Sequence, residues 1–231
     1  MELIVDIETC GFELESLSDS QQEFLLRGIE DEEDEKQKRA KLEDVRRYLS
    51  LYPFTAEIVC IAFLNTKTER TFVICNSNED EDFIVEEKKI KYKLSTEETM
   101  LNSFWYYVSK ADAVVTFNGR CFDIPFLLMR SAMLKIVPTK NLLGNRYYTT
   151  NHIDLLDQFT FHGLTRKFNL DFYCHSFGIE SPKGKGITGM EIKELYKAGK
   201  TKEIGVYCAD DVRATFELYK IWKEFLAGDA H

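Results

Sequence analysis

The chain has 231 residues, a formal net charge of −9 and 44 % apolar residues, enough for one sizeable α/β domain with no Pro/Gly/Ser-rich linker dividing it. No run reaches the length of a membrane span, and the first strand begins with no basic and apolar leader ahead of it. The six scattered cysteines include no C-x-x-C pair, which speaks against a zinc site or a disulfide framework and for reduced thiols in the cytoplasm. Net acidity opposes a broadly basic nucleic-acid surface, but it is unevenly spread. Residues 1–115 carry 14 basic against 26 acidic side chains, and residues 116–231 carry 16 against 13.

In chain order, Leu3-Ile4-Val5 reads as a buried strand that delivers Asp6 and Glu8, whose i, i+2 spacing places them on one face. Residues 13–50 read as a helical insertion. Ser18 or Asp19 caps a helix over Gln21–Ile29. Acids (Asp31–Glu35) then precede bases (Lys36, Lys38, Arg39, Lys41), as the helix dipole favours, with Glu32/Lys36 and Glu35/Arg39 as i, i+4 pairs on a solvated face. Ile58–Leu64 and Thr71–Cys75 predict two strands joined by a polar turn, and Glu79–Glu87 reads as a solvated acidic stretch. Ser95-Thr96-Glu97-Glu98 predicts a capping box opening a helix with Leu101, Phe104, Trp105 and Val108 on one face. Ala113–Phe117 is the next buried strand, and Ile124–Leu134 an apolar helix with Pro125 in its first turn. Ile153–Leu156 predicts a short further strand, and a last helix runs from about Thr201 to Leu226. The pattern is a mixed α/β domain with helices on both faces of its sheet.

Three acidic motifs stand out: Asp6-Ile7-Glu8-Thr9, the run from Phe117 to Phe126 containing Asn118 and Asp123, and Tyr207-Cys208-Ala209-Asp210-Asp211. Each has an ordinary reading on its own. Acids can end any strand, Asn118-Gly119 can be a turn, Asp123 can cap a helix, and Tyr207 with Asp211 can be an i, i+4 surface pair. That last pair borders the apolar stripe Ile204, Cys208, Val212 and Phe216, with Asp210 as a substitute ligand. Together they mean more. Carboxylates converging from distant parts of a chain repel unless cations lie between them, so the set implies bound divalent metal, and four oxygen donors with a tyrosine point to phosphodiester chemistry.

The motifs carry a resemblance. Asp6-Ile7-Glu8-Thr9 resembles the first motif of the DEDD superfamily of 3′–5′ exonucleases. The N-x3-F-D-x-P-F run from Asn118 to Phe126 is similar to the second motif of family B DNA polymerases. Tyr207 to Asp211 fits the Y-x3-D form of the tyrosine branch, with Val206 where the histidine branch needs histidine. Ser181-Pro182-Lys183 through Gly189 also resembles stand-alone bacterial relatives, and the likeness spans nearly all of the chain except residues 13–50.

The resemblance implies a ribonuclease H-like α/β fold with a central mixed five-stranded sheet, in one exonuclease domain over residues 1–231. It further implies two ions, Mg²⁺ or Mn²⁺. Asp6 would bridge them, Glu8 and Asp211 would complete the ion holding the attacking water, and Asp123 would hold the other. Tyr207 would orient the water, since a phenol with a pKa near 10 is a poor base at neutral pH. Thr9 and the backbone near Ile7 would meet the terminal 3′-OH, and Asn118 the strand. Phe122 or Phe12 would stack on a base, with core packing the equal alternative for Phe122, and Lys183 and Lys185 would contact phosphates. Asp154 takes a structural or supporting role, and His152, His162 and His175 lack ligand spacing. The expected activity is 3′–5′ hydrolysis of single-stranded nucleic acid, DNA ahead of RNA, in the company of a replication or repair protein. An RNA-trimming enzyme of the same fold and a non-catalytic module that binds nucleic-acid ends or a protein are the alternatives.

Overall fold

The computed structural model describes residues 1–77, 82–85, 89–147, 149–181 and 189–228. Its centre is one mixed sheet in the order β4-β5-β3-β2-β1-β6-β7. β1 (Leu3–Gly11), β2 (Ala56–Asn65) and β3 (Thr71–Asn76) form an antiparallel meander. β6 (Val114–Thr116) runs parallel to β1, and β7 (His152–Asp154) parallel to β6. On the other side, β5 (Ile90–Ser95) pairs parallel with β3, and the four-residue β4 (Asp82–Val85) closes that edge against β5.

The expected five strands are all present, but the sheet is larger than five. β5 and β4 extend it to seven. β5 alternates as a half-buried strand should, with Ile90, Tyr92 and Leu94 buried and Lys91 exposed. The acids around residues 79–87 mask that alternation, because charge in the connecting segment reads as solvent exposure throughout.

Two apolar layers cover the sheet. On one face α8 (Thr201–Phe225) lays Ile204, Cys208, Val212 and Phe216 against Ile4, Val59, Ala62 and Val73. On the other, α3 (Glu97–Lys110) and α4 (Asp123–Met133) bury Phe104, Trp105, Val108 and Phe126 against Val5, Ile7, Ile61 and Phe63. Each fully buried side chain of this size contributes about 1.5–3 kcal/mol. β1 lies between the two layers, so the strand carrying Asp6 and Glu8 is held from both sides.

The predicted capping box before α3 does not form. Ser95 is the last residue of β5, and Thr96 is the cap, its hydroxyl accepting from the Thr99 N–H at 3.3 Å. Glu97 turns inward instead. It accepts from Arg130 Nε at 2.8 Å and Nη2 at 2.5 Å, and from the Ile58 N–H at 2.9 Å. Trp105 Nε1 donates to Ser131 Oγ at 2.8 Å, a second polar tie between α3 and α4.

The segment after β1 holds α1 (Asp19–Leu26) and α2 (Glu35–Tyr48). Ser18 caps α1 in a full capping box with Gln21, and Asp34 caps α2. The expected Glu32/Lys36 pairing is replaced by Glu32–Lys41 at 2.5 Å, because Glu32 lies ahead of the helix and does not share its spacing. Leu14, Leu17 and Leu49 form a small separate core with Leu25, Leu42 and Val45. A 3-10 turn, Leu49–Leu51, brings the chain back onto β1. There the Thr9 hydroxyl donates to Ser50 O at 2.7 Å, and Gly11 is met so closely that a Cβ would stand 2.8 Å from Ser50 N.

Candidate active site

β6 pairs with β1 only at Leu3 and Ile4, because the chain turns away after Thr116. The sheet therefore opens beyond Ile4, and a side chain takes the place of the missing strand. Asp123 Oδ1 accepts the Ile7 N–H at 3.2 Å. Asp123 is buried at the first turn of α4 and is thereby fixed beside the strand that bears Asp6 and Glu8.

The turn between β6 and α4 is held by a second acid. Asp154 accepts from the Asn118 N–H at 2.9 Å and the Arg120 N–H at 2.9 Å, while capping α5 (Leu155–Phe159) through the Leu156 N–H at 2.9 Å. Asn118 takes a left-handed backbone (φ 64°), which asparagine tolerates. Gly119 follows because a Cβ there would lie 2.3 Å from Thr116 Oγ1. The sequence thus uses Asn-Gly to fold a turn over the end of β6 and aim the start of α4 at β1.

The third segment is α8. Cys208 Sγ lies 3.6 Å from Asp6 O and 3.6 Å from Asp6 Oδ2. Asp6, Glu8 and Cys208 each offer a ligand atom within 4.8 Å of the others. Tyr207 is half-buried and Asp211 buried on the same helix.

Electrostatics bind these positions into one group. Burial, then Asp211, Asp123 and Glu8, push the Asp6 carboxyl well above its ordinary range. Glu8 is raised well above its own by burial and then by Asp211 and Asp123. Asp123 is raised to about 7, first by burial; Asp154 and Asp211 add to the rise, and backbone N–H groups, Ile7 among them, oppose it. Tyr207 is raised as well, by burial, Asp211, Glu8 and Asp6, so its phenol keeps its proton at neutral pH. Each acid suffers from the others. Asp6, Glu8 and Cys208 could hold a metal ion, and the oxygen donors among these acids suit hard divalent ions.

The remaining predicted residues fall as follows. Ile7 is buried, with its amide committed to Asp123. Thr9 is buried, with its hydroxyl proton committed to Ser50 O. Asn118 is half-buried at the turn. Phe122 is half-buried against the α3/α4 layer, with its ring 5.6 Å from that of Phe126. Phe12 packs against the small core below the guanidinium of Arg130, 5.9 Å away. Lys183 and Lys185 lie outside the described residues. Asp210 lines a different depression, with Glu69, Arg213 and Glu217. His152 is buried and neutral, lowered to about 4 by burial and Arg120, and its Nε2 lies 2.8 Å from Thr116 Oγ1.

Two contributors were not assigned to the site from the sequence. Cys208 belongs to the apolar stripe of α8, and nothing in its spacing signals that its sulfur touches Asp6. Asp154 was legible as structural, but its hold on the Asn118–Arg120 amides depends on β7 lying beside β6.

Comparisons with known proteins agree with this geometry. Residues 61–228 match the family described as "Predicted 3'-5' exonuclease related to the exonuclease domain of PolB". The chain belongs to this family, and with it to the 3′–5′ exonucleases related to family B proofreading domains. A DNA polymerase of Pyrococcus glycovorans is 28 % identical over 144 residues, covering 54 % of the chain and 18 % of the polymerase. The family B DNA polymerase of Pyrobaculum calidifontis superposes with a TM-score of 0.61 at 17 % identity, over 97 % of the chain and 24 % of that structure. The chain therefore spans about a fifth to a quarter of those polymerases.

Proposed function

We propose that the recess formed by Asp6, Glu8, Asp123, Tyr207 and Asp211 is the catalytic centre of a Mg²⁺- or Mn²⁺-dependent 3′–5′ exonuclease acting on single-stranded DNA. The observation that carries this is the mutual elevation of three carboxyls on β1 and α4, with Asp211 of α8 acting on all three. Like charges gathered from three segments are relieved either by protonation or by a counter-ion, and bound divalent cations would let these acids stay ionised at neutral pH.

In this reading Asp6, Glu8, Asp123 and Asp211 would hold the ions, Asp6 serving both, Glu8 and Asp211 one of them and Asp123 the other. Two divalent ions supply an activated water and charge stabilisation for the departing 3′ oxygen. Tyr207, held in its protonated form, positions the water by hydrogen bonding and does not abstract its proton. Asp154 acts through the Asn118–Arg120 turn, keeping Asn118 and the start of α4 in place against the strand. Lys183 and Lys185 belong to this proposal as phosphate contacts, and Thr9, Asn118 and Phe122 as contacts to the terminal nucleotide. DNA is favoured over RNA because the relatives are DNA polymerases. Among the described residues no helix is long and apolar enough to cross a membrane; a cytoplasmic location belongs to this proposal.

The test is digestion of 5′-labelled single-stranded DNA and RNA of one sequence with Mg²⁺, Mn²⁺ or EDTA, beside the Asp6→Ala variant. The expected result is a metal-dependent ladder shortening from the 3′ end, faster on DNA and absent in the variant. Faster shortening of RNA would reverse the substrate. Ends bound but never cleaved under either metal would turn the protein into a binding module.

A further inference from the structure

The turn that joins α2 to β2 carries three exposed aromatic rings within seven residues: Tyr48 (42 % exposed), Tyr52 (51 %) and Phe54 (53 %). Apolar side chains exposed singly need no explanation, but three exposed rings within one short connection to the acid-bearing strand call for one. This turn is fastened to two of the three segments that bear the acids. Thr9, next to Glu8 on β1, donates to Ser50 O at 2.7 Å, and Gly11 lies against Leu49 and Ser50. Arg130, two turns along the helix that Asp123 begins, donates through Nη1 to Pro53 O at 3.3 Å. β1 rises about 3.3 Å per residue, so the turn meets that strand from Thr9 to Gly11, roughly 3–10 Å past Glu8. Arg47 accompanies the rings, its guanidinium 4.8 Å over the Tyr48 ring, bonded to the Tyr48 hydroxyl at 2.8 Å and paired with Asp44 at 2.8 Å.

We propose that Tyr48, Tyr52 and Phe54, with Arg47, form a stacking platform for the nucleotides on the 5′ side of the one being removed. This rests on the exonuclease reading above, which puts the 3′ end of a single strand in the recess. Base stacking on aromatic side chains tolerates any sequence, as an exonuclease requires, and a guanidinium beside the rings suits the phosphates between the bases. Tyr48 lies in the 13–50 segment and Tyr52 and Phe54 just after it, all three ahead of residues 61–228 that the family model matches.

The test compares binding of 5′-fluorescein-labelled dT12 and dT2 by anisotropy with Mn²⁺ in the Asp6→Asn background, which keeps the strand intact. Adding Tyr52→Ala and Phe54→Ala is expected to weaken dT12 binding about ten-fold or more and dT2 binding by less than about two-fold. Tyr52→Trp with Phe54→Trp should retain dT12 affinity. Arg47→Glu, which removes the cation over the Tyr48 ring and its bond to the Tyr48 hydroxyl, is expected to weaken dT12 binding as well. Unchanged dT12 affinity in the alanine variant, or equal loss on both oligonucleotides, would overturn the platform. Where the alanine variant does not fold, unchanged dT12 affinity in Arg47→Glu overturns it. Gel analysis of the same samples tests the underlying reading separately: strand shortening despite Asp6→Asn defeats the assigned centre, whatever the binding comparison gives.

Discussion

Asp123 shows how one residue serves structure and chemistry together. Its carboxylate completes the ladder of β1 at Ile7 and stands among Asp6, Glu8 and Asp211. In the folded protein it holds its proton to about pH 7, against an ordinary 3.8. Between about pH 4 and pH 7 the folded state therefore binds a proton that the unfolded chain has released, and stability without divalent ion falls as pH rises through that window. Asp123→Asn keeps the acceptor for Ile7 and removes the ionisation. In EDTA it should melt above wild type at pH 8, with the gap closing towards pH 5, and a gap independent of pH would contradict the assignment. On the roles proposed above, the phenol orienting water and Asp6 holding cations, Tyr207→Phe should retain measurable cleavage where Asp6→Ala retains none; equal residual rates in a single-turnover assay would refute those roles. The acids and the tyrosine were readable in the sequence because chemistry fixes their type and spacing. Cys208 was not, since a cysteine inside an apolar helical stripe is indistinguishable from core until the strand opposite it is known.

Among the elements, the packing of α3 and α4 depends on a buried ion pair. Arg130 and Glu97 are 7 % and 8 % exposed, and Glu97 also takes the Ile58 N–H. Arg130→Ala leaves that carboxylate buried without its cation and releases Pro53 O, and should cost about 3–5 kcal/mol in urea denaturation. A loss under about 1 kcal/mol would place the pair among solvent-screened surface bridges. Gly119→Ala drives a methyl into Thr116 at a turn whose geometry fixes the start of α4. It should lower cleavage at least ten-fold while leaving far-UV circular dichroism near that of wild type, and full activity would show that the turn yields. Strands and helices with a clear period were legible: β2, β3, β6 and α8 fall within a few residues of their expected bounds. β1, in contrast, runs on to Gly11, six residues past the expected Val5, so Asp6 and Glu8 sit within the strand and not at its exit. β5 was hidden by neighbouring charge. The role of Glu97 was hidden by its sequence context, where a local capping motif competes with a partner 33 positions away.

For the molecule as a whole, the gathering of acids at the opening of the sheet would make the fold and the proposed ions mutually dependent. An ion bound by the native state alone stabilises it by RT ln(1 + [L]/Kd), about 2.7 kcal/mol at a hundred-fold excess over Kd. Millimolar Mn²⁺ should raise the melting temperature of wild type by several degrees and that of Asp6→Asn far less, as followed by calorimetry; equal shifts in both would place the ion elsewhere. Both layers of the core could be inferred from the apolar pattern, whereas the opening between β1 and β6 is a property of the assembled sheet. The pairing of Gly11 with Ala56 reaches furthest at this scale. The whole 12–55 segment departs from and returns to adjacent rungs of one hairpin, so topologically it is a long β-turn. Closure entropy grows only as about (3/2)RT ln n, roughly 0.6 kcal/mol for each doubling. Lineages could therefore lengthen, trim or exchange this segment at small thermodynamic expense while the acids stay in register, which makes it the natural place for such a nuclease to change what it grips without changing what it cuts.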